Sequence, residues 1–260
     1  MSDETNKHEN RAVRVQVEGL KKSFGRNEVL HGMSLAAEPG EILCVIGPSG
    51  CGKSVLLRHI IGLEKPDAGR VLIEGLEADS DEAKQRYRMA MVFQSSALFN
   101  SMTVVENVAL YLRENRILKN EGQVLKAVAN KLVLLSLEGS EHKLPSELSG
   151  GMKKRVAIAR ALVVNPNLIL YDEPTSELDP IMSANIGGII RDLKKQVKVT
   201  SIVVTHDREL AFGIGDRISM MKDGNIVATG TPEEIRANSN PVVQEFLNAK
   251  INRTGEKQHA

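Results

Sequence analysis

Residues 41–46, Glu41-Ile42-Leu43-Cys44-Val45-Ile46, form a short apolar run that stops at Gly47. The chain continues Gly47-Pro48-Ser49-Gly50-Cys51-Gly52-Lys53-Ser54. An apolar run of this length closed by glycine reads as a buried strand, and the residues after it predict a helix over Lys53–Ile61. Where strands and helices alternate in this way along a chain, a mainly parallel sheet with helices on its faces is implied. The turn matches G-x-x-x-x-G-K-[ST]. Its glycines let backbone N–H groups converge on phosphate oxygens, Lys53 supplies a cation to the β- and γ-phosphates, and the Ser54 hydroxyl can ligate Mg²⁺.

The rest of the chain continues the alternation. Val13, Val15 and Val17 alternate with polar residues and predict a half-buried edge strand. A hairpin-like region spans Arg70–Leu76, and Met89–Phe93 is a further buried strand that ends at Gln94. From about Ser95 to Pro145 the period becomes helical, over Val104–Arg116 and Gln123–Leu135. Met152, Val156, Ala159 and Val163 make one face of a later helix. Strands are then predicted over Asn167–Tyr171 and Thr200–Thr205, with a helix over Pro180–Lys195. Asp223-Gly224 is a hairpin turn between Asp216–Met221 and Asn225–Thr229. Thr231, Pro232 and Glu234 are the N-cap, first and third positions of a short helix. Residues 1–11 and the polar tail 252–260 are expected to be disordered.

Leu168-Ile169-Leu170-Tyr171-Asp172-Glu173 is an apolar strand that ends in two carboxylates. At a strand's C-terminal end both can reach a crevice. Asp172 suits the Mg²⁺ shell, and Glu173 suits the base that orients or deprotonates an attacking water. Gln94 can reach the metal or that water, and His206, after Ser201–Thr205, can bond a γ-phosphate. Phe24 can stack on an adenine ring or serve as a core aromatic. Leu148-Ser149-Gly150-Gly151 is a second glycine turn that opens a helix, and a helix N-terminus favours anions. Two phosphate turns but one set of base, metal ligand and γ-phosphate sensor imply that the second turn is donated to another copy.

The net charge is +1, from 34 basic and 33 acidic residues, so there is no long-range pull toward nucleic acid and no nucleic-acid partner is expected. No apolar run approaches the ~18 residues of a membrane span, and the polar N-terminus MSDETNKHENR has no signal-peptide core. Cys44 and Cys51, the two cysteines, sit on a buried strand and in the phosphate loop, which is no disulfide framework and fits a reducing cytosol. Cys51 reads either as a thiolate sensitised by Lys53 and nearby N–H groups or as a small tolerated side chain. Alkylation is expected to block activity, with bound nucleotide protecting.

In order, Phe24, Gly47–Ser54, Gln94, Leu148–Gly151, Leu168–Glu173, Ser176–Asp179 and His206 resemble the ATP-binding-cassette ATPases over roughly residues 13–248. The resemblance implies an α/β fold: a P-loop NTPase cassette with a RecA-like, mainly parallel sheet core, an N-terminal antiparallel β subdomain and a helical subdomain. One domain would span about 12–251, with core and β subdomain over about 12–94 and 165–251 and the helical part over about 95–164. It implies ATP and Mg²⁺ as cofactors and a head-to-tail homodimer. Ser149, Gly150 and Gly151 would meet the γ-phosphate of the partner's nucleotide, and Val55 and Asp179 would join the nucleotide site. An integral-membrane permease would carry the substrate, and Ala97-Leu98-Phe99 and Met102 read equally as its docking surface or as core.

Two residues depart from the commonest family pattern: Met152 where Gln is usual and Glu177 where Gly is usual. Met152 with Lys153-Lys154-Arg155, and the run MVFQSSALFNSMTVVENVALYLRE, resemble the branch that serves Mla/MCE-type lipid transport. That implies (phospho)lipid trafficking and outer-membrane lipid asymmetry, with lipid-binding MCE-type and small accessory subunits, at the cytoplasmic face of a bacterial inner membrane. A solute importer, for example of polar amino acids, is the alternative, and a non-transport ATPase of the same type is a third. Glu177 places an extra carboxylate near the dimer seam, where it is expected to slow hydrolysis or tune coupling.

Overall fold

The computed structural model describes residues 11–248. The disorder expected of the tail falls outside the described residues, as it does for the N-terminal stretch up to residue 10. Arg11 itself is tied down: its guanidinium pairs with Glu74 at 3.1 Å and its carbonyl accepts from Asn167.

In chain order the elements are β1 (Val15–Phe24), β2 (Asn27–Ala37), β3 (Ile42–Ile46), α1 (Lys53–Ile60), β4 (Ala68–Ile73), β5 (Leu76–Glu77), α2 (Asp81–Arg86) and β6 (Met89–Val92). Then come α3 (Val104–Glu114), α4 (Glu121–Leu134), α5 (Gly150–Leu162), β7 (Leu168–Asp172), α6 (Pro180–Val197), β8 (Thr200–Thr205) and α7 (Arg208–Ile214). The last four are β9 (Arg217–Lys222), β10 (Asn225–Gly230), α8 (Pro232–Ala237) and α9 (Pro241–Asn248). Helix starts follow local chemistry. Thr103 with Glu106 and Thr231 with Glu234 form capping boxes at α3 and α8, and Asp179 caps α6 ahead of Pro180. Among the described residues no helix is long and apolar enough to cross a membrane.

The strands make two sheets. A four-stranded antiparallel sheet runs β2-β1-β4-β5, and a six-stranded sheet runs β10-β9-β3-β8-β7-β6. From β9 to β6 the second sheet is parallel, with β10 antiparallel at its edge. β1 is not the edge strand its alternation predicted: it lies between β2 and β4. Alternation reports one packed face and one wetter face, and an inner strand of a one-sided sheet shows the same pattern.

β3, β7 and β8 are buried along their whole length, so successive residues feed opposite cores. Ile42, Cys44, Ile46, Ile169, Tyr171 and Val203 face the core built with α3–α7. Leu43, Val45, Leu168, Leu170, Ile202 and Val204 face the core shared with α1 and the antiparallel sheet. Each fully buried Leu or Ile there contributes about 1.5–3 kcal/mol relative to exposure. Because β6, β7, β8 and β3 are parallel neighbours, their C-terminal ends share one edge. Gln94, Glu173, His206 and Gly47 are brought to that edge by topology alone.

The segment after Gln94 is part core and part exposed. Leu98 packs on the helix-side core, whereas Phe99 is 49% exposed. Asn107, fully buried on α3, pins this loop by accepting from Phe99 N–H and donating to the carbonyls of Phe99, Met102 and Thr103.

Candidate active site

The phosphate loop is shaped by what surrounds it. A Cβ on Gly47 would lie 2.1 Å from the backbone oxygen of Met221, so only glycine fits. Gly52 has φ +102°, and a Cβ there would meet Leu30 Cδ2 at 2.9 Å. The loop hands directly into α1 at Lys53, which is 6% exposed. The Lys53 ammonium donates to the carbonyls of Gly47 (2.8 Å) and Pro48 (3.0 Å) and stands 3.7 Å from Glu173 Oε1. Those bonds curl the loop around the cation.

Ser54 Oγ donates to Asp172 Oδ1 at 2.8 Å. Burial pushes the Asp172 carboxyl above its ordinary range, and the Ser54 bond opposes that shift. A hydroxyl and a carboxylate oxygen side by side are hard donors. Mg²⁺ keeps several waters and takes only one or two protein oxygens beside phosphates, so this pair fits it. Among the described residues no group of three or more His, Cys, Asp or Glu is placed to hold a metal ion.

Glu173 follows β7 with φ +46°, a left-handed conformation costly for a side chain with a Cβ. Its N–H donates to Val204 O at 2.9 Å, which fixes that turn. Its Oε2 accepts from Thr205 Oγ1 (3.0 Å) and His206 N–H (3.2 Å), and His206 Nδ1 lies 2.9 Å from the same oxygen. The parallel register sets this up: Asp172 pairs with Val204, so Glu173 faces Thr205. Glu173 is 8% exposed, while the His206 side chain reaches solvent.

A cavity of about 280 Å³ opens over these groups, lined by Val29, Ser49, Gly50, Gly52, Lys53, Ser54, Val55, Gln94, Glu173 and His206. Asp172 enters through its bond to Ser54. Gln94 is exposed at the end of the edge strand β6. Phe24 is not a core aromatic: it is 44% exposed at the tip of the β1–β2 hairpin, with Lys22 Nζ 5.3 Å from its ring centroid, and it does not line this cavity. Ser149, Gly150 and Gly151 do not line it either. Ser149 Oγ accepts from Met152 N–H as the cap of α5, and Gly151 borders a separate hollow with Met182. Asp179 likewise sits outside, where its Oδ1 accepts from Met182 N–H at 2.9 Å.

The sensitised-thiolate reading of Cys51 is corrected. The residue is 7% exposed within the apolar core, and burial raises its thiol above the ordinary value despite the lowering influence of Lys53 and backbone N–H groups. The native chain at neutral pH is therefore expected to stay unmodified at Cys51 by iodoacetamide until denaturant exposes it. Mass spectrometry showing prompt labelling of the folded protein would refute this.

The ABC transporter family profile matches residues 30–176. The chain belongs to the ABC transporter ATP-binding family. The cassette is 39% identical over 242 residues to the probable ribonucleotide transport ATP-binding protein mkl of Mycobacterium tuberculosis, covering 92% of this chain and 67% of that one. It is 42% identical over 234 residues to the Fe(3+) ions import ATP-binding protein FbpC of Rhizobium etli, covering 90% of this chain and 65% of that one. Among solved structures it is similar to a nucleotide-free ATP-binding cassette of an ABC transporter, with TM-score 0.80, 30% identity, and 92% and 100% of the two chains covered. It also resembles the dimeric post-hydrolysis state of the cassette MJ0796 with ADP and Pi, at TM-score 0.75 and 34% identity over 84% and 98% of the chains. The α/β cassette fold is thus established, and with it ATP hydrolysis as the ATPase subunit of a transporter.

Three residues around the site escaped sequence reasoning. Val29 lines the cavity from β2, a strand hidden by Gly32 and by shifts in its pairing with β1. Thr205 holds Glu173, and its signal is a hydroxyl at the end of an apolar strand. It becomes readable only once β8 is known to neighbour β7. Lys154, read as one of a basic run, is buried.

Proposed function

We propose that this cassette cleaves the β–γ bond of ATP in the cavity over Lys53, with Glu173 as the base. Water oxygen attacks the γ-phosphorus, its proton passes to Glu173, and ADP departs with the bonding electrons. The observation that carries this reading is the convergence of Lys53, Ser54–Asp172, Glu173 and His206 on one cavity that Ser149–Gly151 do not enter. The Ser49–Val55 backbone and Lys53 bind phosphates, Gln94 orients water from its exposed turn, and His206 senses the γ-phosphate. Ser54, Asp172 and Gln94 would hold Mg²⁺, which neutralises developing phosphate charge when bound. Phe24 stacks on the base from the hairpin tip. The spare turn at Ser149–Gly151, with Asp179, completes the nucleotide site of a second copy, so the working unit is a head-to-tail homodimer against permease subunits.

For the cargo we propose (phospho)lipid, in an Mla/MCE-type system with lipid-binding and small accessory subunits at the bacterial inner membrane. Support comes from the run LSGGMKKRVA and from FQSSALFNSMTV. Likeness to an Fe(3+) ions import ATP-binding protein favours the second reading, solute import. Native purification with identification of co-purified chains and lipids separates them. Co-purifying MCE-type subunits and phospholipid support the first, and a permease with a solute-binding protein overturns it.

Glu177 has φ +65° and an exposed side chain. A left-handed backbone is the physical reason glycine suits this position. Glu177→Gly is expected to raise basal ATP turnover by removing a carboxylate beside the seam and releasing the turn. An unchanged or lower rate in a hydrolysis assay would sink the idea.

A further inference from the structure

Lys154 lies in the second turn of α5, yet it is only 5% exposed. Its ammonium donates to the carbonyl of Gln94 and to Ser176 Oγ, the latter at 3.1 Å. The two partners sit on different turns at the sheet edge. Gln94 follows β6 and lines the cavity. Ser176 closes the turn that begins at Glu173, through its N–H to Glu173 O at 3.1 Å. Burial opposes the charge on Lys154, and the carboxylates of Glu177, Glu173 and Asp172 favour it. A lysine free to reach solvent has no reason to bear such desolvation. Arg160, two turns further along α5, donates to the carbonyls of Ser96 and Ala97. The Gln94 loop is thus fastened to α5 at two levels, and the Lys154 bonds also reach the Glu173 turn.

We infer that Lys154 is a positioning residue for hydrolysis: one ammonium locks the Gln94 loop and the Glu173–Ser176 turn together and ties both to α5. The first turn of α5 is Ser149-Gly150-Gly151, the turn assigned above to a second copy's nucleotide, and the inference rests on that reading for its reach across the dimer. A shift of α5 as the dimer closes then carries Gln94 and the base of the same chain with it. Each site's readiness follows from the nucleotide held by the other.

The experiment is a double-mutant cycle on the full chain with Lys154→Met and Ser176→Ala, read as kcat and KM for Mg-ATP by phosphate release. Lys154→Met is expected to lower kcat about tenfold or more while KM moves less than about threefold, because the loss is in alignment and not in phosphate binding. Ser176→Ala is expected to cost about threefold alone and nothing further in the Lys154→Met background. Lys154→Gln replaces Lys154→Met in the cycle if the latter does not fold. A kcat within about twofold of wild type, or losses that multiply, overturns the inference. Ser149→Arg is assayed in parallel. If it turns over ATP at the wild-type rate, the two-copy reading fails, while the cycle still judges the coupling within one chain.

Discussion

Glu173→Gln is expected to lower ATP turnover by about 10²–10⁴-fold while ATP still binds. The replacement keeps the volume of the side chain and one oxygen to accept from Thr205 Oγ1 and His206 N–H, so the turn after β7 stays in place. What it removes is the capacity to take a proton from water, and the negative charge 3.7 Å from the Lys53 ammonium. Lys53 then has less to hold it away from phosphate. Bound ATP can no longer be cleared, so the closed pair of cassettes accumulates. Phosphate release and gel filtration with Mg-ATP measure the two effects. Turnover within about tenfold of wild type removes Glu173 from the role of base.

Ser149→Arg is expected to leave ATP binding by one chain nearly intact and to reduce hydrolysis by about 100-fold or more, with loss of ATP-driven dimer closure. Ser149 is exposed, and none of Ser149, Gly150 and Gly151 lines the cavity that contains Lys53. A change there cannot reach the chain's own phosphates directly. It sets a bulky cation on the surface assigned to the second copy. The substitution also removes the cap that Ser149 Oγ offers to Met152 N–H, worth about 0.5–2 kcal/mol. Ser149→Ala loses the same cap without the bulk and so separates the two causes. Binding isotherms and gel filtration with ATP test the prediction, and wild-type hydrolysis by Ser149→Arg would refute it.

Much of the framework is legible locally. The run Ile42–Ile46, the glycine turn and Lys53–Ile60 became β3, the phosphate loop and α1 as expected. Thr231-Pro232-Glu233-Glu234 gave a capping box. Local sequence carries these because an apolar run, a glycine turn and a helix cap are each set by residues adjacent in the chain. β2 escaped because Gly32 interrupts its pattern and shifted pairing with β1 breaks the period. The short helices α2 and α7 escaped because each has too few turns to show a period. In sequence Lys154 and Arg155 are simply part of a basic run, yet Lys154 bonds Gln94 and Ser176 and Arg155 bonds the carbonyls of Leu135 and Ser136. Charge in sequence says nothing of what a helix face later meets.

By itself the sequence determined the chemistry on offer: a phosphate loop at Gly47–Ser54, two carboxylates at the end of an apolar strand, and a second glycine turn at Leu148–Gly151. Those signals are short-range, since spacing along the chain sets which backbone N–H groups and side chains can converge on one phosphate. Tertiary structure alone decided which residues hold which. The strand order β3-β8-β7-β6 sets Thr205 and His206 against Glu173, and Ser54 against Asp172. Packing of α5 beneath the sheet edge buries Lys154 between two turns separated by about eighty residues in the chain. Neighbours across a parallel sheet are set by long crossover connections, and no local pattern in the chain records them.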